Sequence, residues 1–277
     1  MTDPGSRRAV ATATAAAATA WLDSLDRDQR ADGWWAGPGD RESDAERVRW
    51  FYTPTDHGGL PLGRQRPAQQ QLVMRLLAAG LSTEGYVSVA AVLGWENVLD
   101  LVEGFGVSWA RERGRDPGMY YLRVFGDPAR DRVWAWRFGG HHVSVNQLVV
   151  DGEVVAVTPC FLGADPAAAP ALGGAELRPL ALVEDLAQEL VSSLDPEQRA
   201  QALLVDRAPT DIVGGNRPRV GDGDRMLRLP DVWRGYFDDP ALDRLVREVS
   251  DTAEERAGLS EADHDRLALS SEPKGLP

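Results

Sequence analysis

The sequence predicts an α+β fold, an antiparallel β-meander over about residues 119–159 flanked by helices on either side in the chain. Three observations carry this. Arg132-Val133-Trp134-Ala135-Trp136-Arg137-Phe138 and the residues that follow alternate in the manner of strands. Asp151-Gly152 stands between two β-branched runs, the strongest two-residue hairpin signal. Apolar residues recur at three- and four-residue spacing over 67–79 and 82–103 before the meander, and over 182–194 after it.

Residues 1–17 are expected to be a flexible N-terminus, with an Ala-rich helix forming over 10–25. Arg7-Arg8 before an Ala/Thr stretch resembles an export signal only superficially. The stretch is weakly hydrophobic and runs straight into Trp21-Leu22-Asp23-Ser24-Leu25. Asp26 can cap a short second helix. Residues 32–48 are rich in Gly, Asp and Arg and read as a loop, and Trp50 to Pro54 as an aromatic extended segment. His57 to Leu62 reads as a turn.

The helix over 67–79 carries Leu72, Leu76 and Leu77, and the helix over 82–103 carries Val89, Val92, Leu93 and Leu99. Glu96 falls within that second apolar stripe, where a carboxylate must be paired, protonated or bound to something. Strands follow over 119–125, 132–138, 141–150 and 153–158, with Gly139-Gly140 reading as a break and Pro159 as a stop. Beyond a small-residue loop, Leu182, Val183, Leu186, Leu190 and Leu194 mark a helix, and Asp195-Pro196 the cap and first residue of the next. Residues 209–230 read as loops and 239–269 as a charged helical tail. The chain is read as one α+β domain over 18–277, helical over 18–103, sheet over 119–159 and helical over 180–277.

One phrase repeats. Ser24-Leu25-Asp26-Arg27-Asp28-Gln29-Arg30-Ala31 returns as Ser193-Leu194-Asp195-Pro196-Glu197-Gln198-Arg199-Ala200. Gly59-Leu60-Pro61 after the first copy has a counterpart in Gly275-Leu276-Pro277 after the second. Two similar helix caps by coincidence, or a pseudo-repeat cut off before its final helix, both account for the echo.

Composition excludes several functions. A net charge of −13 and a pI near 4.8 argue against a nucleic-acid partner, which needs clustered cations. One cysteine, Cys160, permits neither an internal disulfide nor a Cys-based metal centre, and reads as a small buried thiol. No apolar run reads as approaching the length of a membrane span, so a cytoplasmic protein without membrane contact is expected. No phosphate loop or dinucleotide fingerprint appears, so no nucleotide cofactor is expected. Gly214-Gly215-Asn216 lacks a preceding strand.

The segment Gly139-Gly140-His141-His142-Val143-Ser144-Val145-Asn146 is where chemistry concentrates. On a strand, His142, Ser144 and Asn146 share one face and His141, Val143 and Val145 the other. A bulge at the glycines would turn both imidazoles to one side. His141 and His142 are therefore candidate ligands of a divalent metal ion, with Glu96, Glu103, Asp165 or His57 able to supply another donor. Arg137, Ser144, Asn146 and Glu96 are candidate contacts to a small-molecule substrate, Arg137 as an anion partner. The alternative is the ordinary solvent face of a half-exposed sheet. Ser144 lacks a nucleophile elbow, and Trp134 and Trp136 read as core.

The run Trp134 to Asn146, then Val150-Asp151-Gly152-Glu153-Val154-Val155, then Thr158-Pro159-Cys160-Phe161-Leu162-Gly163-Ala164-Asp165-Pro166, resembles the domain-of-unknown-function 3500 family. Arg115-Asp116-Pro117-Gly118-Met119-Tyr120-Tyr121 and the phrase Ser193 to Ala200 fit it too. The resemblance covers about residues 18–277. It implies no established activity. It implies a C-terminal part beyond this chain with a His-x-His segment that would converge with His141-His142 on one metal. The expected function is a metal-dependent enzyme of unknown substrate, against a non-catalytic binding protein or a truncated, inactive relative.

Overall fold

The computed structural model describes residues 4–39, 41–203 and positions 205, 207, 212 and 214–218. The described residues fall in two compact units, one ending at Pro179 and one starting at Leu180, where the sequence reading expects one domain. The tail over 239–269 lies outside the described residues, as does most of 209–230.

In the first unit, helix α1 (Pro4–Ser24) starts inside the stretch expected to be flexible. Its small residues explain why: Ala11, Thr14 and Ala18 are buried, followed by Trp21 and Leu22. Asp26 caps α2 (Arg27–Gly33), accepting from Gln29 N while the Gln29 side chain accepts from Asp26 N. The loop expected over 32–48 contains two elements, strand β1 (Trp34–Trp35) and helix α3 (Arg41–Val48). Strand β2 (Leu60–Pro61) precedes α4 (Pro67–Gly80) and α5 (Thr83–Val102), the latter capped by Ser82. Both long helices lie where the periodicity puts them.

Strands β3 (Tyr121–Phe125), β4 (Val133–Gly140), β5 (Val143–Val150) and β6 (Glu153–Ala156) form the antiparallel meander. Asp151 and Gly152 both take positive φ, 51° and 74°, as a two-residue hairpin turn of this kind demands. Strand β7 (Phe161–Leu162) pairs with β5, and β2 pairs with β3, both antiparallel. Strand β1 pairs with β3 in parallel, so the sheet is mixed rather than purely antiparallel. Strands β8 (Ala169–Pro170) and β9 (Glu176–Leu177) pair with each other.

The register sorts the sheet into two faces. Leu122, Val124, Trp134, Trp136, Phe138, Val143, Val145 and Val149 share the face that joins α1, α4 and α5 in one apolar core. Gln147 also lies on that face. It accepts from Trp136 Nε1 at 3.1 Å and donates to the Gly80 carbonyl at 2.6 Å, so its buried amide is satisfied and ties the sheet to the end of α4. A Cβ at Gly80 would stand 2.5 Å from the Trp136 ring. Gly80→Ala is expected to cost about 1–3 kcal/mol by overpacking, read from denaturant unfolding.

Helix α5 is the one described helix long and apolar enough to cross a membrane by length and composition, with mean hydropathy 1.2 over its best window. That corrects the expectation that no segment approaches a span. In the fold, Val89, Val92, Leu93 and Leu99 are buried, and the buried Asp100 pairs with Arg113.

Candidate functional site

The opposite face of the sheet carries Tyr121, Arg123, Arg137, Gly139, Ser144 and Asn146, by cross-strand register. The segment from α3 to His57 supplies its partners. Arg137, 2% exposed, donates to Glu46 Oε1, to the backbone oxygens of Glu46, Arg49 and His57, and more distantly to that of Gly58. Arg123 Nη1 reaches the same Glu46 oxygen at 2.6 Å, and Arg49 clamps Glu46 with two nitrogens at 2.7 and 2.9 Å. Burial alone would raise the Glu46 carboxyl, but its bonds and charge pairing with Arg49 and Arg137 hold it at about 2. Burial pulls the Arg137 guanidinium down to about 10, helped by its two arginine neighbours and opposed by Glu46. Arg137 thus holds the α3 segment onto the sheet.

Ser144 and Asn146 are buried on this same face. Asn146 Nδ2 donates to Ser144 Oγ at 3.1 Å and to the Pro159 carbonyl at 2.5 Å, while its Oδ1 is buried without a partner. His57 lies over Gly139 and stacks on Tyr121. Its Nε2 is 3.0 Å from the Thr53 carbonyl, so that nitrogen carries the proton. Burial pushes His57 down to about 4 from 6.5. The folded value lies below the unfolded one, so the stabilisation is complete above about pH 6.5 and is lost as pH falls toward 4. Roughly 3 kcal/mol should disappear across that window, measurable as a drop in unfolding free energy between pH 7 and pH 4 that His57→Phe reduces.

The two other histidines stand elsewhere. Strand β4 runs through Gly139-Gly140, and His141-His142 form the turn itself, with Gly140 paired to Val143. His142 takes φ +60°, a left-handed conformation that histidine tolerates better than most side chains. The turn, rather than a strand or a bulge, brings the imidazoles together, with ring centroids 3.9 Å apart. His142 therefore leaves the alternation that would have aligned it with Ser144 and Asn146. Each glycine of the pair makes room for a neighbour: Gly139 for the His57 ring, Gly140 for the Tyr120 ring.

Glu96 of α5 meets this turn. His141 Nδ1 lies 2.5 Å from Glu96 Oε1, with 10% and 5% of the two side chains exposed. The apolar stripe of α5 thus carries a paired carboxylate, as its burial requires. Tyr120 Oη donates to the His141 carbonyl at 2.8 Å and lies 3.4 Å from Glu96 Oε1, so it braces both partners. Burial, then the Glu96 charge, holds the Tyr120 phenol well above its usual range. His142 is pushed down to about 4, by burial first and the His141 charge second, against the pull of Asp165 and Glu96. It is a neutral imidazole at physiological pH. Its backbone is held on both sides, by its N–H to the Tyr52 carbonyl and by Gly163 N–H to its own carbonyl.

Of the expected additional donors, only Glu96 makes direct contact with the histidine pair. Glu103 is clamped by Arg115 through two bonds of 2.7 Å each, and Asp165 acts on His142 and Arg115 through its charge. Cys160, expected to be a small buried thiol, is exposed over part of its surface, yet burial of the thiol pushes it up to about 11, so it is no ready nucleophile. Among the described residues no three His, Cys, Asp or Glu side chains form a ready-made metal cluster. Tyr120 was absent from the sequence candidates. The Tyr120-Tyr121 pair marks a strand, and nothing local to it names Glu96 as a partner.

Together these features define an α+β domain with a buried carboxylate–imidazole pair at a hairpin turn. The chain belongs to the family described as protein of unknown function (DUF3500), which matches over residues 7–259. No curated protein and no solved structure matches it.

Proposed function

We propose that the chain is an enzyme acting on a small molecule through the Glu96–His141 pair, with His141 Nε2 as the working atom. The observation that carries this is the 2.5 Å bond between His141 Nδ1 and a buried carboxylate. A carboxylate accepts, so Nδ1 carries the proton and Nε2 presents its lone pair. Glu96 orients the ring and stabilises positive charge when Nε2 takes a proton, while Tyr120 fixes Glu96. His142, neutral and stacked on the ring, shields the pair from water.

A second reading is a metal-dependent enzyme with His141 and His142 as ligands of a divalent ion. It is favoured by the neutral state of His142 and by the Glu96 carboxylate behind His141, the arrangement that orients metal-binding imidazoles. The near-parallel stack, with the ring planes 29° apart and the centroids 3.9 Å apart, favours the first reading, because in-plane lone pairs of stacked rings do not converge on one ion. A cytoplasmic setting fits either reading.

Metal analysis and an activity screen test these together. Turnover of a small-molecule substrate by the metal-free protein, falling about 10²- to 10⁴-fold in His141→Ala, is the expected result. About one equivalent of divalent metal in wild type, lost in His142→Ala along with activity, would support the second reading. Turnover that survives His141→Ala would overturn both.

A further inference from the structure

Helix α5 carries a second carboxylate on the face that holds Glu96. Glu103, at the C-cap of α5, lies about two helical turns further on, so the two share one strip of the helix about 10 Å apart. The chain turns back between Arg115 and Tyr120. Gly118 N–H donates to Asp116 Oδ1 at 2.7 Å, and Met119 N–H to the Asp116 carbonyl at 2.9 Å. Tyr120 thereby meets Glu96, and Arg115 meets Glu103. The Arg115 guanidinium and the Glu96–His141 pair are thus neighbours along the same strip.

Arg115 is held on two sides and open on a third. Glu103 fills the edge formed by Nε and Nη2, at 2.7 Å from each. The Trp109 ring covers a face, its centroid 5.5 Å from the guanidinium carbon. Nη1 is buried without a hydrogen-bond partner, and the whole side chain is only 7% exposed. Folded proteins rarely leave a buried cationic donor in that state. The same fold gives the equally buried Arg137 acceptors for both of its terminal nitrogens. An orphan on Arg115 therefore points to an acceptor that the chain itself does not supply.

Charge selects the class of that acceptor. The charges that act most on Arg115 are carboxylates, Glu103 first, then Glu96 and Asp165. Glu103 already neutralises the guanidinium, so Glu96 and Asp165 leave its surroundings negative. A phosphate or another carboxylate would add to that excess. A carbonyl oxygen accepts from Nη1 and adds no charge.

We propose that Arg115 Nη1 holds the carbonyl oxygen of a neutral small-molecule substrate, an amide, ester or ketone, beside the Glu96–His141 pair. That the ligand is a substrate rests on the reading of Glu96–His141 as the reacting pair; the binding site itself does not. Nη1 is closed to solvent, so the carbonyl enters by displacing a neighbour. Trp109 is the neighbour placed to move. It is 53% exposed, on a stretch where Phe105, Trp109 and Ala110 take φ of 57°, 50° and 57°, left-handed backbone that strains residues other than glycine.

Guanidinium NMR of the full chain tests this, with acetamide as the neutral carbonyl probe and acetate as its charged counterpart. Arg115→Lys assigns the Arg115 signals, and their proximity to the Trp109 ring protons does so independently. Acetamide is expected to shift the Arg115 Nη1 protons and the Trp109 indole signal together, and saturably. Acetate should bind at least about tenfold more weakly, the scale of one uncompensated like charge roughly 10 Å away. His141→Ala should leave the acetamide shift in place, so failure of the His141 reading and failure of this one are told apart. Acetate that binds as tightly as acetamide would overturn the carbonyl class. No saturable shift with either probe, with the Nη1 protons in contact with water alone, would overturn the site.

Discussion

Replacing Glu46 by alanine is expected to cost the fold about 3–5 kcal/mol, a large fraction of an ordinary domain's stability. Glu46 is the shared acceptor of Arg49, Arg123 and Arg137, and Arg137 is almost wholly buried. Without the carboxylate, three guanidiniums are left crowded together beneath α3 with their mutual repulsion unopposed. Glu46→Gln keeps the shape and removes only the charge, so it should recover little. Denaturant unfolding reads the difference directly. A Glu46→Ala protein within 0.5 kcal/mol of wild type would show that the cluster is solvated rather than structural.

The second large effect is expected at Glu96. Glu96→Ala removes the acceptor of His141 Nδ1 and leaves that buried donor without a partner, while Tyr120 Oη keeps the His141 carbonyl. Stability should fall by about 1–3 kcal/mol, and turnover through His141 by a factor of about 10²–10⁴, since the ring loses both its orientation and its counter-charge. The two losses separate in Tyr120→Phe. That change takes away the brace yet keeps the ring that fills the space beside Gly140, so it should lower turnover more than stability. Equal activity in wild type and Glu96→Ala would remove His141 from the chemistry.

Much of the fold is legible locally. Helices α4 and α5 follow from apolar spacing and the Ser82 cap, and the β5–β6 hairpin from Asp151-Gly152, because each depends on residues a few positions apart. Elements that depend on distant partners are not legible in this way. Strand β1 is two residues long and exists by pairing with β3, about 90 positions away, and α3 is a polar helix docked through Glu46 onto arginines of two remote strands. The site divides along the same line. Glu96 announces itself as a carboxylate in an apolar stripe, and His141-His142 as an imidazole pair. That Glu96 meets His141, while Arg137, Ser144 and Asn146 lie on the other face, follows from the turn at His141-His142 and from the strand register. The Gly-Gly pair reads locally as a break because glycine commonly ends a strand; in the fold the two glycines accommodate the His57 and Tyr120 rings within one.

The most direct measurement is nitrogen NMR of the His141 ring at neutral pH, in wild type and in Glu96→Gln. The buried pairing predicts a proton on Nδ1, shifted strongly downfield by the short bond to the carboxylate, with Nε2 unprotonated and open. That downfield signal should vanish or move markedly in the variant. A proton on Nε2 in wild type, or a ring that the loss of the Glu96 charge does not affect, would contradict the assignment of His141 Nε2 as the working atom.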